Sequence, residues 1–542
     1  MRRSAIRSRL RLVAGDWKTN IILPIAMGFL FLAMECLRYF CLFRHANDRK
    51  LTEWLPDDAF YYLISGRNFA LLHRWTFDGV APATGFHLLW GYMIALIYWL
   101  APNISLHQIF TLLYFFSAFL MAASLSILCI MVGRTFGQYS LLGPIAISCT
   151  SLAAQLPNFL VESGLVVFFS CLAIYIVFGR EKPLTGRAMA AAFGIGVLGM
   201  LSRSDFGLLP FVMLIVSLAI HQNIQTRAMR TTACVLGGAI VGLLLVLGHS
   251  YLASGHFVQS SAIVKQHWAS LDRDYSLRTG DSSHSGLGHS VSAAILPLIE
   301  ASSQNQRLAY NRRPKRRLPY IAAGAFLLLA LVGAGLSGPR RGTTITIVCA
   351  MCGVVVGYMA FYGYDGAVQP WYFANYLVPY SVLAASIFAI PSKAWQALAT
   401  VALVLLLWRA SPILVAATPK WPQQVGYYEA GRYLHQHPEL KPVGAWNAGI
   451  DSYFAGGGVV NLDGLVNDDA AQYVLSNSLK KYLAERHIDR VIDDSIMWES
   501  SLTRAHKWLC GRCSDSLHKF EGYSLASTGS AASGGPHNAK HA

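Results

Sequence analysis

Long apolar segments, one after another and almost free of charge, constrain this chain more than any other feature. Helix-length apolar windows lie at about 21–43, 108–131, 140–156, 160–178, 188–201, 206–220, 231–252, 319–337, 343–362, 371–391 and 394–412. Each is close to the roughly 20 residues that cross a bilayer as a helix. Charged residues are 13% of the sequence and hydrophobic ones 54%, whereas a soluble domain carries about 25% charged residues. The expectation is an all-α polytopic membrane protein of about 11 transmembrane helices. A formal net charge of +16 does not imply a nucleic-acid partner. The basic residues sit in short clusters between apolar segments, as charges flanking membrane spans do.

Charge placement suggests an orientation. Arg2, Arg3, Arg11 and Lys18 precede the first window, which is too long for a signal-peptide core and lacks a small-residue cleavage site. It reads as a retained span with its basic end in the cytoplasm. Basic residues at Arg134, from Arg180 to Arg187, and at Arg227 and Arg230 mark cytoplasmic loops. They fit one topology only if 86–100 does not cross, so that segment reads as a helix lying at, or dipping into, the outer surface. Arg312–Arg317 and Arg340-Arg341 flank one span and cannot both be inside. Because the positive-inside rule weakens for long loops, 253–318 is assigned outside and Arg340-Arg341 inside, which leaves the C-terminal region outside.

The expected division is a membrane domain, 1–412, that includes a first outer loop at 44–107, followed by a small extracytoplasmic α/β domain at 413–523. In the latter, Tyr427–His437 and Ala470–His487 have helical character, and Val443–Trp446 and Arg490–Asp493 have strand character. Residues 524–542, rich in Ser, Gly and Ala, read as a disordered tail. Eight of the ten cysteines lie in or beside apolar segments and suit packing. Cys510 and Cys513 suit a disulfide if that region is extracytoplasmic, since a lone CxxC lacks the second pair of a zinc site.

On this topology, polar groups gather at one face. Asp57-Asp58 opens the first outer loop, and Arg67, Asn68, His73, Arg74, Asp78 and His87 follow. Glu162, Arg203-Ser-Asp205, Lys265, Asp365 and Gln369-Pro-Trp371-Tyr372-Phe373 arrive from other inter-span elements. Charges near a bilayer are costly and tend to be functional. The set suits chemistry on a lipid-linked phosphate: Arg203, Lys265 and Arg67 as cations for the phosphate, and Asp57 or Asp58 as general base for an acceptor hydroxyl. Trp371 and Tyr372 offer flat amphipathic surfaces for a sugar or lipid. Plainer readings stand beside these. Asp57 suits a helix cap, Arg203 and Asp205 a local ion pair, Trp371 and Tyr372 an aromatic belt, His87 a satisfied polar residue, and Asp463 and Asn467 turn formation. Two aspartates and a nearby histidine suit a divalent metal as well as they suit capping and orientation.

Pro56-Asp57-Asp58-Ala-Phe-Tyr-Tyr-Leu with Arg67-Asn68, Thr76-Phe-Asp78-Gly and Thr84-Gly-Phe-His87-Leu-Leu-Trp90 resembles the first outer loop of the GT-C glycosyltransferases. The resemblance continues through Asn158–Leu165, Leu201–Gly207, Gly255–Lys265 and Pro370–Phe373. Gly444–Gly449 with Val460–Asn467 is similar to the outer C-terminal domain of a bacterial branch. The resemblance implies a GT-C-like fold and transfer of a hexose or pentose from a polyprenyl-phosphate donor to a glycan, lipid or protein acceptor. It further implies an active site and C-terminal domain on the outer, periplasmic side of the bacterial inner membrane, with Asp58 the favoured base. Two motifs depart from the family: Leu160-Val161 replaces Gly-Met before Glu162, and Val258-Gln259 replaces Pro-Asn ahead of Lys265. A transporter or flippase is the rival from another class, but transporters place charges near the bilayer midplane within repeats, and no repeat is visible here. A non-catalytic relative that only binds the lipid donor is the second rival.

Overall fold

The computed structural model describes residues 21–179, 185–220, 225–279, 318–336, 341–362, 369–398, 400–401, 404, 421–494, 516–520 and 523–527. Two compact units share the chain, each drawn from separate stretches. Met1–His45, Phe110–Val246 and Asp272–Thr418 form the first, and Ala46–Ile109, Leu247–Leu271 and Pro419–Ala542 the second.

The first unit is helical among its described residues. Helices Ile22–Leu42, Leu106–Phe136, Leu142–Ser148 with Ser151–Gln155, Ser163–Phe178, Gly186–Ser202, Leu208–Ala219, Gln225–Ser254, Leu318–Leu336, Arg341–Tyr362 and Ala374–Phe388 coincide with the expected spans from 21–43 to 371–391. Among the described residues, four stretches, Ile22–Leu42, Leu106–Phe136, Arg227–Ser254 and Gly342–Tyr362, are long and apolar enough to cross a membrane. The pair Gln138–Ser148 and Leu152–Phe159, bent by 56°, adds a fifth if counted as one broken span. This is an integral membrane protein. Some windows yield shorter helices because local chemistry interrupts them. Thr150, for example, leaves the helical path and caps the next turn with its hydroxyl, which accepts from Ala153 N at 3.4 Å. Small residues let helices meet closely: a Cβ on Gly196 would strike the Val235 carbonyl, and one on Gly238 the Phe193 carbonyl. Helices Gly186–Ser202 and Gln225–Ser254 therefore touch backbone to backbone, as small-residue membrane interfaces do.

The second unit is built on a five-stranded sheet in the order β2-β1-β3-β5-β4, with β1 Val443–Ala445, β2 Val459–Asn461, β3 Arg490–Asp494, β4 Ser516–Phe520 and β5 Tyr523–Ser527. β1 is parallel to both β2 and β3, and β5 is antiparallel to β3 and β4. Two expectations change here. The outer loop shares its unit with the C-terminal residues instead of the membrane helices. Residues 524–527, expected as tail, belong to β5, where Leu525 pairs with Ile492 and Tyr523 with Asp494. The Ser- and Ala-rich composition masked that alternation. Cys510, Cys513, Arg312–Arg317, Arg340, Asp365, residues 528–542 and most of 394–412 lie outside the described residues.

Helix Asp57–Leu72 starts after Pro56, whose extended backbone (φ −67°, ψ 149°) cannot continue a helix backwards. Two carboxylates occupy its first turn, where the dipole favours negative charge. It ends at His73, which takes the left-handed conformation (φ 56°) and donates its N–H to the Phe69 carbonyl. Helix Leu88–Leu100 packs along it: a Cβ on Gly66 would lie 2.7 Å from Ile94 Cγ2. Its 13 residues span about 20 Å, against the roughly 30 Å of a hydrocarbon core.

Candidate functional site

The aspartate pair divides its labour. Asp57 is buried, and its two carboxylate oxygens accept from Ile450 N at 2.7 Å and Gly449 N at 3.1 Å. A side chain on Gly449 would collide with the Asp57 carbonyl and carboxylate, so glycine is what permits the approach. Asp58, one residue on, stays partly exposed. Tyr61, on the next turn of the same helix, donates to the Trp446 carbonyl or to Asp463 Oδ2, each at 3.4 Å. Asp463 Oδ1 accepts from Leu465 N at 2.7 Å. Asp463 is thus the turn former expected of it and also a third carboxylate beside Asp57 and Asp58.

Burial pushes the Asp463 carboxyl up to about 8, against the pull of the Leu465 amide and the Asn461 side chain, and the charges of Asp58 and Asp57 raise it further. Burial likewise pushes Asp57 up to about 7, opposed by the two amides and reinforced by Asp58. The same burial, with the charges of Asp463, Asp57 and Asp58, holds the Tyr61 hydroxyl well above its ordinary value. Clustered carboxylates cannot all ionise together. Of the three, only Asp58 is partly exposed.

The remaining loop residues build or flank this turn. Asn68 Nδ2 donates to the carbonyls of Thr76 and Phe77 at 3.0 and 2.9 Å. Asp78 Oδ1 accepts from the N–H groups of Val80 and Ala81, both at 2.8 Å, an Asx turn. Arg67 places its guanidinium 5.6 Å from the centre of the Tyr453 ring. His87 is the N-cap residue of helix Leu88–Leu100 and is partly exposed. Lys265 lies on helix Ser260–Thr279. That helix is tied to the loop at its start, where Gln259 Nε2 donates to Thr84 O and Phe86 O at 2.8 and 2.7 Å. One turn beyond Lys265, Trp268 stacks on Trp446, with ring centres 6.3 Å apart and planes at 27°.

The other expected residues meet in the first unit. Arg203, buried, donates from Nε to both Asp205 oxygens at 3.1 Å, from Nη1 to Glu162 Oε1 at 3.2 Å and to the Trp371 carbonyl at 3.4 Å, and from Nη2 to the Tyr362 hydroxyl at 3.2 Å. Asn375 Nδ2 donates to Asp205 Oδ2 at 2.9 Å, and the Tyr362 hydroxyl also donates to it. The Tyr372 ring centre is 4.6 Å from the guanidinium carbon. Nearly every Arg203 donor is therefore committed, which favours the ion-pair reading of this motif over donor binding. Trp371 and Tyr372, 4% and 7% exposed, are not aromatic-belt residues facing lipid headgroups; they pack on and bind Arg203. Leu160, at the position where the resemblance would place glycine, takes φ 49° and ψ 35°, a left-handed conformation that glycine enters freely and leucine does not. Among the described residues, no group of three or more His, Cys, Asp or Glu side chains is arranged to hold a metal ion.

Residues 419–533 match a family described as a domain of unknown function (DUF8728), and no curated protein matches the chain. At the level of structure, the chain is similar to ArnT from Cupriavidus metallidurans bound to undecaprenyl phosphate. The two share 12% identity, with 94% of this chain and 99% of that one covered and a TM-score of 0.55. It is also similar to the archaeal oligosaccharyltransferase AglB from Archaeoglobus fulgidus in complex with an inhibitory peptide and a dolichol-phosphate, at 12% identity, 89% and 70% coverage and a TM-score of 0.51. An Archaeoglobus fulgidus oligosaccharyltransferase tethered to an acceptor peptide gives 12%, 90% and 71%, and 0.51. The chain therefore shares the fold of ArnT and AglB. At the site, sequence reasoning missed Tyr61, Trp446 and the 449–450 amides. The signal for them was present in Gly444–Gly449, a run too short and too ordinary to assign roles without knowing what it faces.

Proposed function

We propose that this protein is a membrane glycosyltransferase that moves a sugar from a polyprenyl-phosphate donor to an acceptor hydroxyl on the extracytoplasmic side of a bacterial inner membrane. The observation that carries the reading is the division between Asp57, buried and held by two backbone amides, and Asp58, partly exposed beside it. Asp58 takes the proton from the acceptor hydroxyl as its oxygen bonds to the anomeric carbon. The bond from that carbon to the phosphate oxygen breaks, and polyprenyl phosphate leaves with the electron pair. Attack opposite the leaving phosphate inverts the anomeric centre. Lys265 is the cation proposed for the phosphate, since Arg203 is committed to Glu162 and Asp205. The GT-C fold supports the reading, as do the undecaprenyl phosphate and dolichol-phosphate ligands of its structural neighbours.

The test incubates purified full-length protein with undecaprenyl-phosphate-linked pentoses and hexoses and cell-envelope glycan. Released undecaprenyl phosphate and labelled acceptor are the expected products. Asp58→Asn keeps the shape and removes the base, with an expected loss of about 10²–10⁴-fold in rate. Undiminished transfer by Asp58→Asn rules out the assignment.

A further inference from the structure

Trp446 and Asp463 occupy equivalent places in the sheet. Trp446 follows the last residue of β1, and Asp463 lies two residues past β2, its parallel neighbour. In α/β sheets, ligands bind outside the carboxyl ends of the parallel strands, because the loops there are free to vary while the strands hold them rigidly. Here that edge meets the first turns of helix Asp57–Leu72 through three contacts within the second unit: Asp57 with the 449–450 amides, and Tyr61 with Trp446 O and with Asp463.

The indole of Trp446 is partly exposed and is backed by the stacked indole of Trp268. Trp268 is 6% exposed, and its Nε1–H has no hydrogen-bond partner among the described residues. A flat, partly exposed indole face, on a residue whose carbonyl accepts from Tyr61 one turn beyond the aspartate pair, matches the apolar C–H face of a sugar ring, which stacks on an aromatic.

We propose that Trp446, supported by Trp268, is a saccharide-binding platform on the carboxyl edge of the C-terminal sheet, holding a sugar ring at Asp58. The inference rests on the glycosyltransferase reading only for which saccharides are tried. The ring comes either from the lipid-linked donor or from the acceptor glycan, and the two arms of the experiment separate these sources.

Binding is measured by equilibrium titration on full-length protein in lipid nanodiscs. One arm uses undecaprenyl-phosphate-linked sugars beside undecaprenyl phosphate alone; the other uses an array of bacterial envelope oligosaccharides. Trp446→Ala is expected to weaken the saccharide-bearing probe of one arm about tenfold, the equivalent of ~1.4 kcal/mol. Undecaprenyl phosphate alone should bind as before. Trp446→Phe retains most of the affinity, and Trp446→Leu, which keeps an apolar side chain but removes the ring, loses about as much as alanine. If Trp446→Ala misfolds, the contrast between the Phe and Leu variants still decides the matter. Equal binding by wild type, Trp446→Ala and Trp446→Leu overturns the platform. So does a loss that extends equally to undecaprenyl phosphate, or wild type that binds no sugar in either arm. Asp58→Asn is expected to bind saccharide normally while failing in transfer, so failure of the catalytic reading and failure of the platform give different results.

Discussion

Replacing Asp57 with alanine removes the carboxylate that accepts from Ile450 N at 2.7 Å and Gly449 N at 3.1 Å. Both amides open helix Gly449–Ala455 and are buried, as is Asp57 itself at 7% exposure. Each buried N–H left unpaired costs about 1–3 kcal/mol, so the pair costs roughly 2–6 kcal/mol before relaxation. Burial already pushes Asp57 up to about 7, so deleting it near neutral pH also relieves some charge burial, and a working value is about 3 kcal/mol. For a unit of this size each kcal/mol moves the melting temperature by about 2–4 °C, and the expected drop is roughly 6–12 °C. Asparagine keeps one acceptor and turns a donor toward the other amide, for about half the effect. Hydrogen exchange read by mass spectrometry over 446–456 in detergent micelles, alongside thermal melts, makes the measurement local as well as global. Asp58→Ala is the control, expected within about 1 kcal/mol of wild type. If Asp57→Ala melts like wild type with the 449–450 amides still protected, or if Asp58→Ala takes the loss instead, the assignment of roles within the pair is wrong.

Two further outcomes follow from burial. Arg203→Ala leaves Glu162 and Asp205 buried without their cation; a loss of about 3–5 kcal/mol is expected, read as early aggregation in thermal size-exclusion assays, and Arg203→Lys does not restore it because one ammonium cannot span those partners. Asp463 is held up at about 8 in the fold, above the unfolded value of about 3.9. As pH rises through this window the unfolded chain sheds its proton first, and stability falls from about pH 4 to about pH 8; Asp57 acts in the same direction up to about 7. Asp463→Asn, neutral throughout, flattens that decline in melts between pH 5 and 8, and an unchanged slope contradicts the burial of this charge.

Helices were the legible part of the fold, because apolar runs near 20 residues leave the backbone few alternatives in lipid. Their breaks were less legible. Residues such as Thr150 interrupt a window by hydrogen-bonding chemistry that hydropathy does not register. The strands β2, β4 and β5 were missed because three to five residues carry too little alternation to stand out. At the site, Asp57-Asp58 drew notice by charge in an apolar context. Its amide partners could not, since a backbone N–H has no letter in a sequence and these lie 392 and 393 residues away. Arg203 was visible as a cation, but its neutralisation by Glu162, 41 residues earlier, depends on packing.

That separation along the chain has a consequence in time. A ribosome adding about 5–20 residues per second needs roughly 20–80 s to make the 392 residues between Asp57 and the amide that holds it. Throughout that interval Trp54, Phe60 and Tyr61, all buried in the finished unit, have emerged with their eventual cover unmade. The first loop must therefore stay unaggregated while the intervening chain is made, and the residues around 449–450 decide whether the turn that opens with Asp57-Asp58 is ever assembled.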